Sequence, residues 1–182
     1  YAYQDDRSHY RYRMMACGFE ELSSGEKFVL NINHLRSKRG TGAESNEKRM
    51  ANVDSLLVML DKIEKEQVFG DTDVLLVGDY NSYAYEQPIQ IIVQAGYADM
   101  VMQYDSTGYS YVYHSEAGYL DRVFASPSMA TQVKMVGAYH LNTDYFYSRG
   151  YKRGLDNTMF RYSDHDPVLI RVQLSPASDS NL

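Results

Sequence analysis

The sequence holds one cysteine, Cys17, no tryptophan and only four prolines in 182 residues. A single thiol excludes an intrachain disulfide and any cysteine-rich zinc site. No apolar run approaches the roughly 20 residues that a membrane-spanning helix needs. No leader pattern is visible either, although a chain beginning at Tyr1 leaves prior removal of a leader open. Positive charge is scarce: 18 Lys and Arg stand against 24 Asp and Glu, a formal net charge of −6. Such a chain is not held to nucleic acid by bulk electrostatics. A metal and a few local cations could still handle phosphates. No serine or cysteine sits in a nucleophile elbow, and no glycine-rich phosphate loop occurs.

What is present is apolar residue, 44% of the chain, enough for one sizeable core. One domain over residues 1–174 is expected, with a tail at 175–182. KFVLNINH, Lys27 to His34, alternates as a strand and sets Phe28, Leu30, Ile32 and His34 on one face. A basic loop follows, containing Arg36, Lys38 and Arg39. A helix is expected from about Asn46 to Glu66, with Met50, Val53, Leu57 and Leu60 as its apolar stripe beside Leu56 and Ile63. Val74 to Val77 is a continuous apolar run that suits a strand covered on both faces. Pro88 and Gly96 bracket a short helix, Gln87 to Gln94. Tyr109 to Tyr113 and Leu120 to Ala125 read as strands around a turn at SEAG, and Gln132 to Ala138 as another. Tyr139 to Phe160 is a long tyrosine-rich connection, and Pro167 to Leu174 the last strand.

Polar clusters collect at the ends of these strands: His34; Asp79 with Asn81; Asp121; and Asp164 with His165. Strand ends are where a rigid sheet presents reactive groups. Three carboxylates, a carboxamide and two imidazoles suit a hard divalent cation with histidines for proton transfer or phosphate contact. Each cluster also has a plainer reading. Asp and Asn form turns after strands, Asp121 could pair with Arg122, and His34 could be satisfied by the backbone. His9, His114 and His140 read as surface histidines and Asp166 as a brace for its turn. Arg36, Lys38 and Arg39 read as a solvated loop, and Asn142 as a residue shaping a cleft.

The segments NINHLRSK, LLVGDYNSY, GYLDRVFAS and YSDHDPVLI, in this order, resemble the endonuclease/exonuclease/phosphatase superfamily of metal-dependent phosphoesterases. The resemblance runs from about Phe28 to Ile170. HLRSK and GYSYVYHSEAGYLDRVFAS look most like the secreted bacterial nucleases of that group. The resemblance implies an α/β fold, the C-terminal portion of a DNase I-like four-layer sandwich with a mostly antiparallel or mixed sheet flanked by helices. It implies that Asp79 and Asn81 position the attacking water and contact the scissile phosphate. Asp164 would help hold Mg2+ (or Mn2+ or Ca2+). His165 would face the phosphate, Asp121 would fix its tautomer, and His34 would be a second imidazole. Tyr80 stands where phenylalanine is commoner, a change expected to be neutral.

The implied activity is metal-dependent phosphodiester hydrolysis by in-line attack of water, with a nuclease as the first reading. A phosphatase or phospholipase acting on an inositol-phosphate or sphingomyelin-like headgroup is the alternative, and a non-catalytic binding fragment the third. Partners are then a nucleic acid or a phosphorylated small molecule, with no stable membrane insertion. Secretion or a periplasmic or cell-envelope location is implied, the cytoplasm being the other option. The first half of the superfamily's domain, with an asparagine and a metal-ligating glutamate, has no match here; Glu20 and Glu21 sit in a turn-like context. The isolated chain is therefore expected to turn over weakly or not at all, and to self-associate through an exposed sheet.

Overall fold

The computed structural model describes residues 2–3, 14–40, 42–70, 73–145 and 159–174. His9, the tail and most of the tyrosine-rich connection lie outside them. The described chain is mixed α/β. Strands β1 (Ala2–Tyr3), β2 (Met15–Glu20), β3 (Lys27–His34), β4 (Val74–Asp79), β5 (Ala98–Asp99) and β8 (Asp121–Ala125) form a six-stranded sheet in the order β1-β2-β3-β4-β8-β5. Only β3 and β4 pair in parallel; their neighbours run antiparallel. Helix α1 (Gly42–Lys65) makes the crossover between those two strands, as a parallel pair requires. β6 (Tyr111–Tyr113) and β7 (Glu116–Gly118) form a separate hairpin, and β9 (Val133–Ala138) pairs antiparallel with β10 (Val168–Val172).

Alternation along the strands gives the sheet two faces with two cores. Val29, Leu76 and Phe124 pack with α1 and α2 (Gln87–Gln94). Leu75, Val123 and Ala125 pack with Val133, Val136 and, more loosely, Val168 and Ile170. Helices α3 (Met100–Tyr104) and α4 (Pro127–Gln132) bridge β8 and β9 on that second side. No helix among the described residues is long and apolar enough to cross a membrane.

Several expectations need correction. The helix begins at Gly42 rather than Asn46, and its buried face is Arg49, Asn52, Val53, Leu56, Met59, Leu60 and Ile63. That stripe is rotated from the expected one because Ser45 and Arg36 hold the Arg49 guanidinium by hydrogen bonds at 3.0 and 3.4 Å, which lets an arginine sit inside. In β3 the deeply buried face is Val29, Asn31 and Asn33, while Ile32 and His34 are exposed. Asn31 and Asn33 can be buried because they bond to each other and to the Met15 carbonyl and Tyr80 hydroxyl. Tyr80, fully buried, thus has a partner for its extra oxygen and is not an idle variant of phenylalanine. SEAG is not the hairpin turn: Glu116–Gly118 is a strand, and the turn is His114–Ser115.

Candidate active site

Strand register assembles the site. His34 ends β3 and pairs with Asp79, which ends β4; Asp79 in turn pairs with Asp121, which begins β8. Three chemically active residues therefore stand in a row at one end of the sheet. They are in phase with Leu30, Leu75 and Val123, so they emerge on the face that carries the second core. The row depends on Gly78. Its φ of +136° is a conformation that side-chain-bearing residues rarely adopt, and a Cβ there would lie 1.9 Å from the Asn33 carbonyl oxygen. Gly78 thus keeps β3 and β4 in contact where their ends present His34 and Asp79.

Asn81 closes a tight turn behind Asp79. Its φ of 48° lies in the left-handed region that asparagine tolerates. Its backbone N–H donates to Asp79 Oδ1 at 2.8 Å. Its Nδ2 donates to Asp79 Oδ2 at 3.0 Å and to the Leu35 carbonyl at 3.1 Å. One amide hydrogen thereby holds Asp79, the other ties Asn81 to the end of β3, and Oδ1 remains as an acceptor. His34 Nε2 is 3.5 Å from Asp79 Oδ2, with the imidazole 60% exposed. The Asp79 carboxyl is pushed up from its ordinary pKa, first by burial and then by the charge of Asp121.

His165 arrives from the segment before β10. Its backbone bridges Tyr111, and the Asp166 N–H donates to the Ser110 carbonyl at 2.8 Å. These contacts place His165 Nδ1 2.7 Å from Asp121 Oδ2. Burial alone would lower the imidazole pKa; the hydrogen bond and charge of Asp121, then the charges of Asp79 and Asp164, outweigh it and raise it. Nδ1 carries the proton shared with Asp121, so Nε2 is free for a substrate. Ligand atoms of Asp79, Asp121 and His165 all lie within 4.8 Å of one another. Asp164 is outside that compact trio, near enough for its charge to act on His165 and Tyr111. A carboxylate whose proton affinity is raised by burial and by the charge of its neighbour is a donor that a divalent cation would relieve, so oxygen-ligand metal chemistry fits the residues present.

The fold seen around this site has relatives. No protein-family model matches the sequence, and no curated protein matches it. Solved structures do. A mannosyl-6-phosphatase from Bacteroides thetaiotaomicron aligns with a TM-score of 0.63 at 19% identity, covering 90% of this chain and 57% of that one. An endonuclease/exonuclease/phosphatase family protein from the same organism gives 0.60 at 19%, covering 87% and 55%. This is the DNase I-like fold of the endonuclease/exonuclease/phosphatase proteins. A 3′ phosphatase from Neisseria, solved with a product DNA hairpin, shares it with a TM-score of 0.59 at 14% identity over 93% of this chain and 67% of that one. The chain spans a little over half the length of the first two.

Within this DNase I-like frame, other residues support the site without touching its front. Ser110, fully buried, donates its hydroxyl to Asp121 Oδ2 at 2.7 Å and accepts from the Asp121 N–H at 3.3 Å. Nothing in the sequence marks it, because the contact depends on the hairpin folding back onto β8. Arg122 is buried and pairs with Asp99 at 2.8 Å, which leaves Asp121 to His165. Asp166 accepts the backbone N–H groups of Leu141, Asn142 and Thr143 and the Thr143 hydroxyl, with His140 Nδ1 at 2.7 Å. It is a loop anchor, and His140, at the surface as expected, is its partner. Asn142 donates to the His165 carbonyl at 2.7 Å. Lys38 pairs with Glu86 and lies 4.2 Å from the Tyr83 ring centroid.

Proposed function

We propose that this chain carries the catalytic face of a metal-dependent phosphoester hydrolase, and that its substrate is a phosphodiester of nucleic acid. The observation that supports the reading is the register-built row His34–Asp79–Asp121 with His165 docked on Asp121. A divalent cation bound at the carboxylates, with Asp164 beside them, would neutralise a phosphate oxygen and stabilise the charge that develops on hydrolysis.

The protein's own groups supply the rest. Asp79, held in one orientation by Asn81 and raised in basicity by burial, accepts a hydrogen from the attacking water. Asn81 Oδ1 is placed to orient that water. His165, kept cationic by Asp121, donates from Nε2 to a phosphate oxygen opposite the attack. His34 contributes a second donor from the other side of Asp79. Two carboxylates with Asp164 beside them are a sparse set for a cation that takes about six ligands, which supports the expectation of slow turnover by the 182-residue chain.

Hydrolysis of a phosphomonoester is the second reading. It is favoured by the two phosphatases among the structural neighbours. The test is direct. The purified chain is incubated with labelled oligonucleotides, plasmid DNA and phosphorylated sugars, at millimolar Mg2+ or Mn2+ and with chelator. Cleavage inside or at the end of the nucleic acid that requires metal supports the first reading. Release of phosphate from the monoesters alone supports the second.

A further inference from the structure

His165 is the inner end of a row of rings. Its imidazole packs on Tyr111 with centroids 4.6 Å apart. Tyr111 lies 6.3 Å from Tyr113 with planes 10° apart, and Tyr113 lies 4.1 Å from His114 with planes 17° apart. The row runs outward along β6 because residues two apart share a face of a strand. At the tip, His114 and Ser115 both have positive φ, 49° and 68°. Two non-glycine residues in that conformation are costly, yet they bring the His114 ring against Tyr113.

This arrangement adds little to the core. The hairpin is a two-stranded sheet of its own, apart from the six-stranded one, and Tyr113 is 57% exposed. Rings left in water beside a reactive imidazole offer faces to a planar partner. Cations flank them: Arg39 is exposed and its charge acts on Tyr111, and Lys38 sits over neighbouring Tyr83. A partner that alternates planar rings with anions matches both features. A sugar phosphate has no planar ring. A lipid surface would favour a continuous apolar patch, whereas Glu116 faces Tyr113 across the hairpin.

We propose that Tyr111, Tyr113 and His114 form a stacking ledge for an unpaired base next to the scissile phosphate, so that the substrate is single-stranded nucleic acid. The proposal rests on the reading of His165 as the phosphate-facing group. Bases in a duplex have their faces covered by neighbours; only a single strand or a frayed end can lay one on the ledge. Stacking tolerates any base, so sequence preference is weak. With few cations at the ledge, binding depends only shallowly on salt.

Binding in the presence of chelator separates this from the chemistry. Fluorescence anisotropy gives Kd for a short labelled single strand and for the same strand made abasic. The full chain is expected to bind the base-bearing strand about fivefold or more tightly than the abasic one, the range of one aromatic–base stack. Tyr113→Ala should erase that preference and Tyr113→Phe should keep it, with unchanged unfolding midpoints. No preference in the parent chain, or an undiminished preference in Tyr113→Ala, would overturn the ledge. Loss of the ledge result with metal-dependent hydrolysis intact would leave the hydrolase reading standing. Ring-dependent binding without hydrolysis would uphold the ledge and count against turnover by the isolated chain.

Discussion

His165 Nδ1 and Asp121 Oδ2 stand 2.7 Å apart across 44 residues of sequence. This contact fixes which imidazole nitrogen faces outward, and it supplies the leading upward influence on the His165 pKa against the downward pull of burial. Asp121→Asn should therefore lower the His165 pKa, leaving less of the cation at neutral pH. Histidine titration by NMR on the metal-free protein reads this without any turnover. An unchanged titration would mean that Asp121 does not govern the imidazole.

Gly78→Ala tests the geometry under the row. Its Cβ would meet the Asn33 carbonyl oxygen at 1.9 Å, and backbone cannot swing aside as a side chain can. Parting β3 from β4 should cost about 1–3 kcal/mol or more, seen as a lower denaturation midpoint. It should also weaken metal binding by more than the same destabilisation placed elsewhere, for example at Met59 in α1.

Asp166 makes a pH prediction of known sign. Burial would raise its pKa, but hydrogen bonds from Thr143, His140 and the backbone of Asn142 and Thr143 outweigh burial and hold it below the ordinary 3.8. A carboxyl with a depressed folded pKa stabilises fully above its unfolded pKa, and that stability is lost as pH falls through the folded value. Acid titration of the unfolding free energy should show this loss below about pH 4, and Asp166→Ala should flatten it. The same variant should cost about 1–3 kcal/mol at neutral pH for each orphaned loop donor that water cannot reach.

The sheet predicts self-association. Met15 pairs with Ile32 and Phe19 with Phe28 across β2 and β3, and Phe19 stacks on Phe28 at 5.5 Å. Met15, Phe19 and Ile32 are 39%, 47% and 41% exposed. An apolar patch on paired strands invites association with a second copy. Sedimentation should show mass rising with concentration, reduced by Phe19→Lys; a clean monomer at high concentration would contradict it.

Much of this was legible in the sequence where the cause is local. GDYN, LD and SDH sit at strand ends that alternation and apolar runs locate unaided. The helix Gln87–Gln94 follows from Pro88 and Gly96, and the structure ends it at the same residues. What escaped depends on distant partners. β2, MACGFE, buries only Ala16 deeply, so its sequence carries no strand period; it exists because β3 pairs with it. Arg49, Asn31 and Asn33 look like surface residues until their hydrogen-bond partners are placed. Five-residue α3 is too short to show a helical period. Ser110 became visible only when the hairpin brought it to Asp121.

The most direct test compares hydrolysis of a single-stranded oligonucleotide by the chain, by Asp79→Ala and by His165→Ala, at millimolar Mg2+ and with chelator. Slow cleavage is expected that stops with chelator and falls about 10²–10⁴-fold in each variant, the usual worth of a positioned acid or base. Cleavage that persists in chelator, or that either variant retains at the parent rate, would contradict it.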